Sequence, residues 1–250
     1  KIFMNPLLNY KQFVWIGLLQ WCFLFGFTTL SAQNATPEAS IHAAYIQDKT
    51  AGNQNNLKRI NQELDSIFQA GDNRFNRYWL SYGLYNWAIL AGIQEEKEQA
   101  ELLVDQTIGL LSPLKEDAES LALLSLAQGF STQFKSYLAL MRIGRNAILN
   151  AQRAAVLDPN SLRANLAVAL NDFYTPKAFG GGKLALQYLM KAMEETTVNS
   201  QERVPRWGKP IVYELLVKYY RKNEQDSIAL DYLTQGLEEF PNNELLQGLK

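Results

Sequence analysis

Three times along this chain, small or medium apolar residues recur four and then three positions apart: Ala147, Ala151 and Ala154; Ala185, Leu189 and Ala192; and Ala229, Leu233 and Gly236. That spacing returns to one side of an α-helix and to no other regular element. A side with so little volume lets a second helix approach closely. Two of the stripes run into a breaker, Asp158-Pro159-Asn160 and Pro241-Asn242-Asn243, where proline stops the helix. Larger residues stand on the helices that face them: Leu166, Ala167 and Leu170 before the second stripe, and Tyr213, Leu216, Val217 and Tyr220 before the third. The pattern predicts antiparallel helix pairs joined by short turns. No such pair buries its own apolar face, so successive pairs must stack into one core.

The rest of the chain fits an all-α reading. Alternation of Val, Ile and Thr is nearly absent, and glycine and proline fall mostly between periodic segments. The spacing predicts helices over 36–50, 57–69, 77–91, 95–111, 117–135 and within 136–158. Further helices are expected over 161–174, 183–195, 207–222 (irregular at Pro210) and 225–240, with a short one from Glu244. Ser161 is placed to cap its helix. Residues 175–182 are expected to form a loop with Phe179 tucked between helices and the glycines that follow easing entry to the next helix.

The chemistry is mostly exclusion. Lys plus Arg number 24 against 25 for Asp plus Glu, with no basic stripe, so nothing draws in nucleic acid. The single histidine, His42, and the single cysteine, Cys22, have no partners for a metal site or a nucleophile–base pair. The acid clusters Glu95-Glu96-Glu98 and Glu194-Glu195 lie at helix ends on polar faces and read as solvated. Gly180-Gly181-Gly182-Lys183 lacks both the spacing of a phosphate loop and the strand that precedes one. No catalytic residue, metal or cofactor is expected.

The N-terminus reads as an address. Lys11 precedes an apolar stretch from Phe13 to Leu30, no acid occurs before Glu38, and small residues close the stretch at Ser31-Ala32. This is the pattern of a secretory signal over 1–32, cleaved near Ala32, with a single helical domain over 33–250. The alternative is an uncleaved inner-membrane anchor over 13–30. Cys22 is unsuited to lipidation because large residues precede it and the apolar run continues past it. An Ala-Gln junction on a body without cysteine resembles periplasmic proteins of Bacteroidetes-type bacteria. Apart from the signal, no membrane association is expected.

The run Ala154-Ala155-Val156-Leu157-Asp158-Pro159-Asn160 resembles the junction between two tetratricopeptide (TPR) units, and the unit around Tyr213–Pro241 matches the large, small and breaker positions of that family. The resemblance is clearest over 131–159, 160–199 and 210–243, and extends to diverged helices over 57–112. It implies a right-handed solenoid that binds a protein or peptide on the concave face of its helix pairs. The family's groove positions fall on Lys135, Arg142, Asn165, Asn171, Lys218 and Arg221, a basic and amide-rich set that suits a carboxylate or peptide backbone. The Thr-Pro and Phe-Gly-Gly insertion at 175–182 resembles one in exported TPR proteins, including those associated with TRAP-type transporters.

The expected function is therefore a periplasmic protein- or peptide-binding scaffold rather than an enzyme. The alternative is a carrier or transport accessory that holds a small apolar ligand between helix pairs. Tyr78, Tyr82, Tyr85 and Phe179 are the candidate lining of such a pocket.

Overall fold

The computed structural model describes residues 36–194 and 205–250; the expected signal over 1–32, the alternative anchor over 13–30 and part of the linker before Trp207 lie outside them. Eleven α-helices, and no strand, occur among the described residues. They are α1 (Pro37–Ala51), α2 (Asn55–Ala70), α3 (Arg74–Ile93), α4 (Lys97–Leu111), α5 (Ala118–Ser131), α6 (Tyr137–Leu157), α7 (Leu162–Tyr174), α8 (Ala185–Met193), α9 (Lys209–Lys222), α10 (Asp226–Glu239) and α11 (Glu244–Gln247). None of these is long and apolar enough to cross a membrane. Neighbours in sequence pack as pairs, α1 with α2 through α9 with α10, and α11 covers the last pair.

The small-residue stripes do what their spacing predicts. Ala147, Ala151 and Ala154 are the buried residues of α6; Ala185, Leu189 and Ala192 those of α8; and Ala229, Leu233 and Gly236 those of α10. The helix starts are set by short polar side chains that accept from otherwise unpaired amides. Asn73 caps α3 through the Asn76 amide, Asp117 caps α5 through Ser120, Ser161 caps α7 through Ala164, and Asn243 caps α11 through Leu246. Helix α2 is started from outside. Its own N-cap residue, Gln54, offers no side-chain cap, and the fully buried Asp48 of α1 accepts from the backbone amides of Asn56 (3.0 Å) and Leu57 (2.7 Å).

Two boundaries differ from the sequence expectation. The helix expected to run from Asp117 to Lys135 ends at Ser131 and tightens into a 3₁₀ turn, Thr132–Phe134. Lys135 thus stands in the connection between α5 and α6, where its ammonium reaches Glu101 and Asp105 of α4 at 2.8 and 2.7 Å. The first helix of this pair is accordingly α5, and the pair begins well before residue 131. The second difference is Trp207, which precedes α9 instead of starting it. Gly208 turns the chain there at φ +116°, and a Cβ at that position would come within 2.6 Å of Leu162. Pro210 falls in the first turn of α9, where a missing amide hydrogen removes no helical bond, so α9 is regular.

Placed outside its helix, Trp207 crosses to the first half of the chain. Its indole stacks on Tyr82 at 5.1 Å between centroids, and its Nε1 donates to the Tyr78 hydroxyl at 3.0 Å. Beneath it, the buried Arg163 donates to Glu119 and to the Trp207 carbonyl. Two further bonds tie the first helix to the end of the chain: the Arg206 amide donates to Glu38, and Lys49 pairs with Glu244 at 2.9 Å.

Candidate functional site

Helix α6 is packed over only part of its length. All three of its buried residues lie between Ala147 and Ala154, and none lies between Tyr137 and Asn146. The first half therefore stands away from the stack. It leaves a cleft of about 1110 Å³ between itself, the C-terminal halves of α5 and α7, and the loop after α7. Leu126, Gly129 and Phe130 of α5 form one wall, with Tyr85 of α3 behind them. Leu140, Met141, Gly144, Ile148 and Leu149 of α6 form the second, and Leu170, Asn171 and Tyr174 of α7 form the third. Phe179 closes one end. The rim carries large apolar side chains in water: Tyr137 is 68% exposed, Tyr174 61% and Phe179 60%.

The loop that bears Phe179 is fixed by Asp172. Its carboxylate accepts from the amides of Leu184 and Ala185, both at 2.8 Å, and so satisfies the open start of α8. Its carbonyl accepts from the Gly182 amide. Within this fold Gly181 has no room for a side chain, since a Cβ would sit 2.0 Å from the Thr175 carbonyl oxygen. A 3₁₀ turn, Lys177–Phe179, then projects Phe179 outward. The expectation that Phe179 is tucked between helices is thus corrected: the tight backbone behind it leaves its ring at the surface.

The six residues proposed for a concave groove have different surroundings. Asn165 is buried, and its amide donates to the Pro159 and Ser161 carbonyls, which locks the turn between α6 and α7. Lys135 is held by its two carboxylates. Lys218 pairs with Glu214 one turn away, and Arg221 donates to the Leu249 carbonyl near the chain's end. Asn171 does line the cleft, with its amide on Ser125 and on the Ala167 carbonyl, and Arg142 is exposed on α6 beside it. Of the four residues proposed for an apolar pocket, Tyr85 and Phe179 line the cleft, whereas Tyr78 and Tyr82 are buried with Trp79 and Trp207. Desolvation on burial raises the hydroxyl pKa of Tyr78, Tyr82 and Tyr85. All three therefore stay neutral, as apolar walls with a polar tip.

Most of the α6 wall was missed in the sequence. The signal was there: Leu138, Leu140, Met141, Ile148 and Leu149 fall on more sides of the helix than the stripe of alanines accounts for. A helix apolar beyond its packed side has a second surface to cover. The electrostatics are equally one-sided. The only charged side chain among the cleft's described lining is Arg145, and no acid or histidine reaches it.

No family model matches the chain, and no curated protein matches it either. Solved structures do. A thermophilic TPR protein of Thermus thermophilus is similar over 84% of this chain and 95% of its own, at 14% identity and a TM-score of 0.54. PilF of Pseudomonas aeruginosa, at 14% identity, covers 95% of this chain and 91% of its own with a TM-score of 0.38. The first likeness, joined to the packing of successive helix pairs, establishes that this chain has the TPR-type solenoid fold.

Proposed function

We propose that this chain is a protein-interaction scaffold whose site is the cleft between α5, α6 and α7, and that the cleft receives an apolar segment of a partner polypeptide. The observation that carries this reading is the continuity of the cleft with exposed apolar side chains at its rim. Sites for small ligands enclose roughly 300–1,000 Å³ and cover most of the ligand. This cleft is larger, about 1110 Å³, and open to solvent, so a small apolar molecule would leave Tyr137 and Tyr174 in water. Contiguous apolar surface of this kind marks protein contact.

An exported, periplasmic location belongs to the same proposal and rests on the N-terminal sequence pattern. No catalytic role is part of it, because the described lining of the cleft sets no acid, histidine or cysteine beside Arg145. The test is native mass spectrometry of the mature protein isolated from its own cells, alongside Ile148→Glu. The expected result is a retained polypeptide in the wild type that is absent from the variant, with the far-UV circular dichroism of the two superimposable. A retained small molecule of discrete mass, lost in the same variant, would replace the scaffold with the carrier.

A further inference from the structure

We propose that the occupant of the cleft is an amphipathic helix with acidic residues along one flank of its apolar face. The inference rests on the cleft reading above and adds the partner's chemistry.

The helical form follows from the walls. Three helix surfaces face the gap, and no sheet edge among the described residues offers backbone groups to an extended strand, so the recognition mode is a helix laid in a groove. The wall of α6 from Tyr137 to Leu149 runs for about 18 Å at 1.5 Å per residue, enough to seat roughly three turns of a second helix.

The acidic flank follows from charge. Helix α6 contains Arg142, Arg145 and Arg153 and no acid in 21 residues, in a chain whose net charge is −1. None of the three arginines has an ion-pair partner among the described residues, whereas the arginines Arg59, Arg74, Arg77 and Arg163 are paired within the fold. Arg145 lines the cleft, and Arg142 stands three residues before it on the adjoining exposed side. Asp172, next in sequence to Asn171 of the lining, holds the start of α8, and Glu101 and Asp105 hold Lys135. A helix whose apolar face enters the cleft therefore meets unpaired guanidinium groups along its α6 side, and carboxylates there gain charge-assisted bonds. The chain's own apolar stretch at 13–30 carries no acid and does not meet this requirement.

The experiment uses the full mature chain and three synthetic helical peptides. They share one leucine face flanked by Glu, the same face flanked by Lys, and the Glu peptide with its residue order scrambled. Calorimetry at low and high salt is expected to show the Glu-flanked peptide binding at least ~10-fold more tightly than the Lys-flanked one. Most of that ratio should vanish at high salt, as screening of exposed charges requires. It should invert in Arg142→Glu/Arg145→Glu, whose sites are at the surface and whose melting temperature is expected to be unchanged. Glu and Lys peptides binding equally, both lost in Ile148→Glu, would overturn the acidic partner and leave the cleft standing. No binding by any peptide would overturn both. Sedimentation of the protein with anionic phosphatidylglycerol vesicles, abolished by the arginine reversals and unmatched by any peptide preference, would assign the surface to a membrane and overturn the proposal.

Discussion

Glu119 and Arg163 form a buried ion pair whose contribution to the fold depends on shape as well as charge. The Arg163 side chain is 3% exposed and that of Glu119 20% exposed, and Glu119 accepts from both Arg163 Nε and the Ser161 hydroxyl. Burial is the largest influence on the carboxyl and raises its pKa above 4.5, against the pull of Arg163 and Ser161. The folded state thus holds this proton more tightly than the unfolded chain does. The stabilisation this gives is complete below 4.5 and is lost as pH rises through the folded-state value. A neutral group of the same shape should therefore serve as well at pH 7. Glu119→Gln is expected within about 1 kcal/mol of wild type there, whereas Glu119→Ala, which removes the carboxylate acceptor from a buried guanidinium, loses about 2–3 kcal/mol. Urea unfolding of the three proteins at pH 4.5 and 7 checks this, and the advantage of wild type over Gln should shrink toward the higher pH. A Gln variant as weak as the Ala variant would mean that the charge itself holds the contact.

At the scale of the element, a helix was legible wherever its own neighbouring residues supply both the stop and the cap. Ser161 after Asp158-Pro159-Asn160, and Asn243 after Pro241, mark α7 and α11 for that reason. Boundaries set by another element were not legible. Lys135 reads as helical from its neighbours, yet it lies past the end of α5 and pairs with Glu101 and Asp105, some thirty residues earlier. Asp48 reads as a polar residue near a helix end, yet it initiates the following helix. Asp48→Ala leaves the amides of Asn56 and Leu57 without an acceptor in a buried place, at a cost of about 2 kcal/mol. Asp48→Asn keeps one acceptor and should fall between. Hydrogen exchange would locate the loss, with faster exchange confined to the first turn of α2. Exchange unchanged at Asn56 and Leu57 in the Ala variant would remove Asp48 from this role. The cleft was half legible on the same grounds. Tyr85, Asn171 and Phe179 stand out by residue type or loop chemistry, whereas the α6 wall matters only because the stack stops halfway along that helix, and no local pattern announces a missing neighbour.

For the molecule as a whole, the question is whether it behaves as a solenoid. Repeat arrays are quasi-one-dimensional: each unit touches only the next, and one end can unfold while the other holds. This chain departs from that. Trp207 meets Tyr78 across 129 positions, and Lys49 meets Glu244 across 195. The two ties differ in weight. Both side chains of the lysine pair are 42% exposed, and a pair of that kind contributes little, at most about 1 kcal/mol. Trp207 brings a stacked ring, a hydrogen bond to a buried hydroxyl and a place over Arg163, so long-range coupling should depend on it. Burying a ring of this size is worth roughly 2–3 kcal/mol when part of it stays in water. The wild type is therefore expected to unfold in one transition, with circular dichroism and hydrogen exchange in α3 and α9 reporting the same midpoint. In Trp207→Ala the segment from α9 onward should lose protection at lower urea than α3 does, splitting the transition, while Lys49→Ala leaves it single. A wild type that already unfolds in separate steps would show that the contact joins the halves without coupling them, and that nearest-neighbour stacking alone sets the order of unfolding.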